Sequence, residues 1–381
     1  MTNPIRRICL ALPLAALLLA GPACAQRTQG TEQRQERSQT WVSVSDHGGQ
    51  RTELRTSGRM AFNDEGDWVE SVAPGAYLTA EERGRGPDRR IDFRPGGGGV
   101  RVRYYVDGDE RPLDAAGRAW AREMIGRAVR ESGLGAEERV ARARARAGVS
   151  GVLGEIARLR TDSGRRVYYH ALLRGAPLSN AEFVRVMDDV GRRMGSDTET
   201  RLVLSEAVPY ASGTGRLAAL LNAAVGMDSD TETRLVLNRV AERHRLADAA
   251  SRDAFFRAVQ GMDSDTEVRL VLNAVADQHL ANGDGRAAFF RAVGGMSSDV
   301  ERRLVLSAVL SRDPSEAAVL GALGSAAAMH SDVEKRLVLF QVPPSLLRSG
   351  RVSAAYRRVV DGMGSDTERG LALRRLAGGG R

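Results

Sequence analysis

One phrase recurs along the C-terminal three fifths of this 381-residue chain and constrains its fold more than any other feature. Met-x-Ser-Asp-x-Glu, followed by Leu-Val-Leu or Leu-Ala-Leu, begins at Met194, Met227, Met262, Met296, Met329 and Met363. The starting methionines are 33, 35, 34, 33 and 34 residues apart, and a weaker copy keeps register at Thr161, Asp162 and Arg166. A period near 34 belongs to helix-pair solenoids, in which no unit can bury its apolar side alone and each leans on its neighbours. The expected fold is therefore mainly α: a right-handed α-solenoid of about seven helix pairs over residues 147–381.

The phrase has a physical reading that needs no catalysis. Ser196, Ser229, Ser264, Ser298, Ser331 and Ser365 each stand three residues before a glutamate. That spacing predicts a capping box, in which the serine oxygen accepts a first-turn N–H and the glutamate returns to the serine's own N–H. The aspartate that follows each serine suits the positive end of the new helix. Leu235, Val236, Leu237, Val240 and Ala241 form an apolar arc broad enough for a helix wedged between its partner and adjoining units. Phe255, Phe256, Val259 and Met262 recur as Phe289, Phe290, Val293 and Met296, the stripe of a preceding helix. The repeated methionine closes that stripe as a core filler. Arg201, Arg234, Arg269, Arg303 and Arg336 each lie four residues after an aspartate, on its helix face. They are expected to form a stacking ladder, pairing within a unit or with the next; an arginine row gripping an acidic partner is the alternative. Gly370 replaces the arginine in the last copy, as befits a unit with no successor.

The remainder of the chain divides by composition. Arg6 and Arg7 precede a short apolar stretch that ends at Ala23-Cys24-Ala25, the pattern of a signal peptide over 1–25 cleaved near Ala25. The chain is thus expected to be exported, to the periplasm or beyond. Lipidation at Cys24 is disfavoured by Gly21 three positions earlier, where leucine is the usual residue. The only other cysteine is Cys9, which excludes disulfides and thiol catalysis from everything after the signal. Residues 26–40, rich in Gln, Arg and Glu, read as a disordered linker. From 41 to 110 the period becomes two, with turn formers between short runs, predicting a small antiparallel β domain with Trp68 and Tyr77 on its packed face. Gly96 to Gly99 lacks the Lys-Ser/Thr of a phosphate loop and reads as a hairpin connection. Connecting helices are expected over 111–146, with Trp120, Met124 and Ala128 on one stripe.

The repeated phrase resembles the HEAT-like α-solenoid repeats of exported bacterial proteins. The segment 41–82 also resembles the β-rich region that accompanies such repeats in BlaR1-like sensor proteins built around a membrane peptidase. That peptidase is not inherited, because there is no His-Glu-x-x-His and no set of spanning segments. His47, His170, His244, His279 and His330 lack metal-ligand spacing, and no Gly-x-Ser-x-Gly elbow occurs. The expectation is a non-enzymatic scaffold with no catalytic, cofactor or metal site, holding a protein or extended peptide on the inner solenoid surface. The net charge of +8, carried by arginine and the single Lys335, supports an alternative: binding an anionic envelope polymer or lipid surface. Nucleic acid is not expected as a partner, and an envelope hydrolase is the distant third reading.

Overall fold

The structure is a computed structural model that describes residues 41–379 apart from 48, 49, 64, 85, 134, 214 and 282, with side chains from residue 51. The signal segment 1–25, with Cys24 and Ala25, and the lead-in 26–40 lie outside the described residues.

The period-two region forms β1 (Trp41–His47), β2 (Gln50–Ser57), β3 (Met60–Phe62), β4 (Val69–Val72), β5 (Tyr77–Arg83), β6 (Arg89–Gly96), β7 (Gly99–Val106) and β8 (Asp109–Arg111). Six of them make one antiparallel sheet in the order β1-β2-β5-β6-β7-β8, and β3 pairs with β4. Leu54, Ala80, Ile91 and Tyr104 face one another across four strands, so all four point to one side, and all are buried. Helix α1 (Ala115–Ser132) covers that side, adding Ala121, Met124, Ile125 and Val129 to the same cluster. The Asp114 carboxylate caps its start, accepting from the Gly117 amide at 2.7 Å. Gly133 ends it in the left-handed conformation at φ 74°, with the Val167 side chain 2.6 Å from where a Cβ would stand. Trp68 packs edge-on against Phe93, but Tyr77 does not share its face. Leu78 is fully buried, so strand alternation turns Tyr77 outward, where the Arg94 guanidinium lies 4.3 Å from its ring. Gly96 pairs with Gly99 across the β6–β7 hairpin.

The repeated region forms seven helix pairs. They are α2 (Ala136–Ile156) with α3 (Asp162–Arg174), α4 (Asn180–Arg193) with α5 (Asp197–Ala207), α6 (Arg216–Ala224) with α7 (Asp230–Arg243), and α8 (Ala249–Gln260) with α9 (Asp265–His279). Then come α10 (Gly283–Gly295) with α11 (Asp299–Arg312), α12 (Glu316–Ala327) with α13 (Asp332–Leu339), and α14 (Gly350–Asp361) with α15 (Asp366–Gly379). First helices pack on first helices and second on second, so each pair touches its immediate neighbours, the arrangement of a repeat solenoid. One continuous apolar cluster runs from Ala136 to Leu376. Met227, Met262, Met296, Met329 and Met363 are buried in it, as are Phe255, Phe256 and Phe289.

The segment 111–146 is shared between the two cores. Helix α1 belongs to the sheet's cluster and also packs on α3, whereas Ala136 and Val140 of α2 belong to the solenoid cluster. Helix α2 is broken at Ala147 and Gly148, where Gly148 adopts φ 61°, a backbone that favours glycine.

Candidate functional site

The repeated phrase assembles at the junctions between pairs, along the starts of the second helices. Each serine does cap its helix: Ser196, Ser229, Ser264, Ser298, Ser331 and Ser365 accept the amide N–H three residues on at 3.3–3.4 Å. The other half of the capping box is not made within the unit. Each of these serines instead donates its own backbone N–H to the aspartate of the preceding unit. The residue before the serine donates to the same oxygen, so Asp162, Asp197, Asp230, Asp265, Asp299 and Asp332 each hold two amides of the following pair at 2.5–3.0 Å. At the N-terminal end Glu131, from the last turn of α1, takes this role towards the Arg160 and Thr161 amides at 2.9 and 3.0 Å. Only Ser179 and Glu182, at the start of α4, close the box reciprocally among the described caps.

Released from the serine, each glutamate pairs with an arginine one unit back. Arg166 donates through Nε to Glu199, Arg201 to Glu232, Arg234 to Glu267, Arg269 to Glu301, Arg303 to Glu334 and Arg336 to Glu368. The row ends where Gly370 stands in for the next arginine. These side chains keep only 21–29% (Arg) and 14–23% (Glu) of their exposure, so the row is a half-buried ladder committed to its neighbours. Thr198, Thr231 and Thr266 add hydroxyl bonds to the same glutamates at 3.1–3.3 Å. Sequence spacing located the serines, aspartates, glutamates and arginines and left the arginine two pairings, within its unit or with the next; the geometry pairs it with the glutamate of the next unit.

A third position escaped notice in the sequence. Three residues after the aspartate, Arg165, Arg302 and Lys335 reach forward to a carbonyl at the end of the next first helix: Arg193, Ala328 and Gly362, at 3.2, 3.3 and 3.0 Å. Each also pairs with its own aspartate. Arg302 and Lys335 are 5% exposed, so both cations are buried with a carboxylate and carbonyls around them. Their variability, with Thr200, Thr233 and Val268 at equivalent positions, hides them from a search for repetition.

Two of these carboxylates, Asp162 and Asp332, carry the electrostatic mark of this work. Burial by itself raises the Asp162 pKa, and the Arg165 hydrogen bond with the Gly195 and Ser196 amides outweighs it to hold the group below its ordinary value. The Ser365 amide, more than the cost of burial, keeps Asp332 depressed as well. Carboxylates engaged in this way are acceptors for structure and poor general bases. Among the described residues no group of three or more His, Cys, Asp or Glu is placed to hold a metal. His170 and His244 sit 3.2 and 2.8 Å from the Leu202 and Val208 carbonyls, and His279 is enclosed in the core against Phe256.

Beside the ladder, one equivalent leucine on each second helix from α5 on is never fully covered: Leu202, Leu235, Leu270, Leu304, Leu337 and Leu371, with Leu373 of α15 exposed in addition. Leu235 and Leu270 are 38% and 37% exposed, and Val300 and Val333 on the first turns of α11 and α13 reach 47% and 45%. No described helix is long and apolar enough to cross a membrane. No family model, curated protein or solved structure matches the chain.

Proposed function

We propose that the chain is a non-enzymatic interaction scaffold of the HEAT-like kind, an exported accessory component that holds a protein or extended peptide along the row of second helices. The observation that carries this reading is the leucine row. A soluble helix gains by covering such side chains, yet the same position stays incompletely covered in six consecutive units and is exposed in two of them, next to a ladder whose charges are already neutralised. A repeated array of this type offers a partner the same contact once per unit. The arginine ladder supports stacking more than capture, because each guanidinium already donates to a glutamate.

A photo-crosslinking residue at Leu235 or Leu270 tests it in the chain's native compartment. Both sites are expected to capture the same partner, and a Leu235→Glu, Leu270→Glu double variant is expected to release it. Equal capture from exposed Arg291 on α10, or capture indifferent to the glutamates, contradicts the reading.

A further inference from the structure

The outward face of the sheet carries a charge pattern that the scaffold reading does not use. Strand alternation places Arg51, Glu53 and Arg55 of β2, Tyr77, Thr79, Glu81 and Arg83 of β5, Arg90, Asp92 and Arg94 of β6, and Arg101, Arg103 and Tyr105 of β7 on the side away from α1. Two features of the pattern go against stability. Arg51 lies directly opposite Arg83, and Arg94 directly opposite Arg101. Like charges in facing positions repel. At the second pair no described carboxylate makes an ion pair with either residue, and both are exposed.

The acids on this face lie low and the cations high. The side chains of Glu53, Glu81 and Asp92 are 13%, 21% and 16% exposed, whereas those of Arg51, Arg55, Arg83 and Arg90 are 61%, 57%, 62% and 41%. A ligand approaching the sheet therefore meets guanidinium groups over a floor of short carboxylates. We infer that this face is a binding surface for a linear phosphate polymer, whose charges relieve the two facing arginine pairs.

The chemistry selects the partner. Arg55 and Arg90 turn Nε towards a floor carboxylate, which occupies one edge of the fork and leaves terminal N–H groups pointing outward. An arginine fork clamps carboxylate and phosphate alike. A phosphate, with oxygens spread around a tetrahedron rather than confined to one plane, can in addition accept single donors from several arginines that converge from different strands. Base stacking has no platform here, because Arg94 covers the Tyr77 ring at 4.3 Å and Arg90 the Tyr105 ring at 4.0 Å. The Arg51 and Arg83 pair lies at one end of β2 and β5, whereas Arg94 of the second pair, on β6, reaches Tyr77, six residues from Arg83 along β5 and about 20 Å away at the rise of a strand. A single phosphate cannot reach both; an extended chain can.

The test is titration of the full chain with long-chain linear inorganic polyphosphate, followed by fluorescence anisotropy. Binding is expected at about 50 mM salt and to weaken steeply towards about 200 mM. Arg94→Gln with Arg101→Gln is expected to weaken it by at least roughly tenfold and flatten the salt dependence. Circular dichroism checks that the double variant stays folded, and a second double variant, Arg51→Gln with Arg83→Gln, is expected to act in the same direction. Arg239→Gln with Arg243→Gln on α7 removes the same charge elsewhere and is expected to change binding less than about twofold. No binding, equal loss in the α7 control, or equal affinity for poly-glutamate or for anionic lipid vesicles overturns the inference.

Discussion

Replacing Asp230 by Ala isolates the bond that passes between units. Its Oδ2 accepts the Asp263 and Ser264 amides of the following pair at 3.0 and 2.5 Å. Hydrogen bonds to a charged acceptor contribute about 1.5–3 kcal/mol each in favourable settings, and the half-exposed setting lowers that, so the loss is expected to be about 2–3 kcal/mol. Asp366 is the matched control. It occupies the same position at the start of α15, but its side chain is 95% exposed and among the described residues it holds no amide of a following pair. Asp366→Ala removes the favourable interaction with the helix N-terminus, about 0.3–1 kcal/mol and common to both variants, together with an exposed Arg369 pair worth about 0–1 kcal/mol. Urea unfolding followed by far-ultraviolet circular dichroism should show Asp230→Ala less stable than Asp366→Ala by about 1–3 kcal/mol, since the helix-end loss cancels between them. Asp230→Asn, which keeps one acceptor oxygen without the charge, should fall between. Because such a stack is held by nearest-neighbour terms, amide exchange should accelerate from α8 onward before it does in α4 and α5. Equal stability of Asp230→Ala and Asp366→Ala would refute the inter-unit role.

Two other expectations concern the core. His279 is 1% exposed with neither ring nitrogen hydrogen-bonded, and burial, with a smaller contribution from Arg252, pushes its pKa down to about 4. The unfolded chain binds the proton more readily, so the contribution is complete above about pH 6.5, fades as pH falls towards 4, and amounts to about 3 kcal/mol at most. His279→Leu should remove that part of the pH dependence of the urea midpoint; an unchanged slope between pH 6.5 and 4 contradicts the assignment. Gly321 of α12 faces Phe290, whose ring carbon lies 2.2 Å from where a Cβ would stand. Gly321→Ala should cost about 1–3 kcal/mol through overpacking, and Phe290→Ala in the same chain should remove most of that added cost, as read in a double-mutant cycle.

The helix starts and the core methionines were legible because they depend on local rules. A serine three residues before a glutamate marks a cap wherever it occurs, and Met262 closes an apolar stripe whose spacing is visible in the chain. The destinations of the charged groups were not legible, because one spacing satisfies two geometries. Glu232 stands where it could accept from Ser229, but the Asp197 carboxylate of the preceding pair takes that amide and Arg201 takes the glutamate. The partners are 31 and 32 residues apart, which only the stack brings together. The β domain shows the same limit. Period two leaves two phases open, and judging by size puts Tyr77 inside, whereas Leu78 and Ala80 fill the core and Arg94 shields the outward ring. The arginine face of the sheet was visible only as scattered charge, since facing pairs such as Arg94 and Arg101 exist only once the register of β6 and β7 is set.

Truncation tests the stacked architecture most directly. Ending the chain at residue 344 removes α14 and α15, the Glu368 partner of Arg336 and the two amides held by Asp332. A stack of nearest-neighbour units predicts that amide protection falls in α12 and α13 and is retained through α2 to α9. Loss of protection throughout the remaining chain would show one indivisible core and contradict the account.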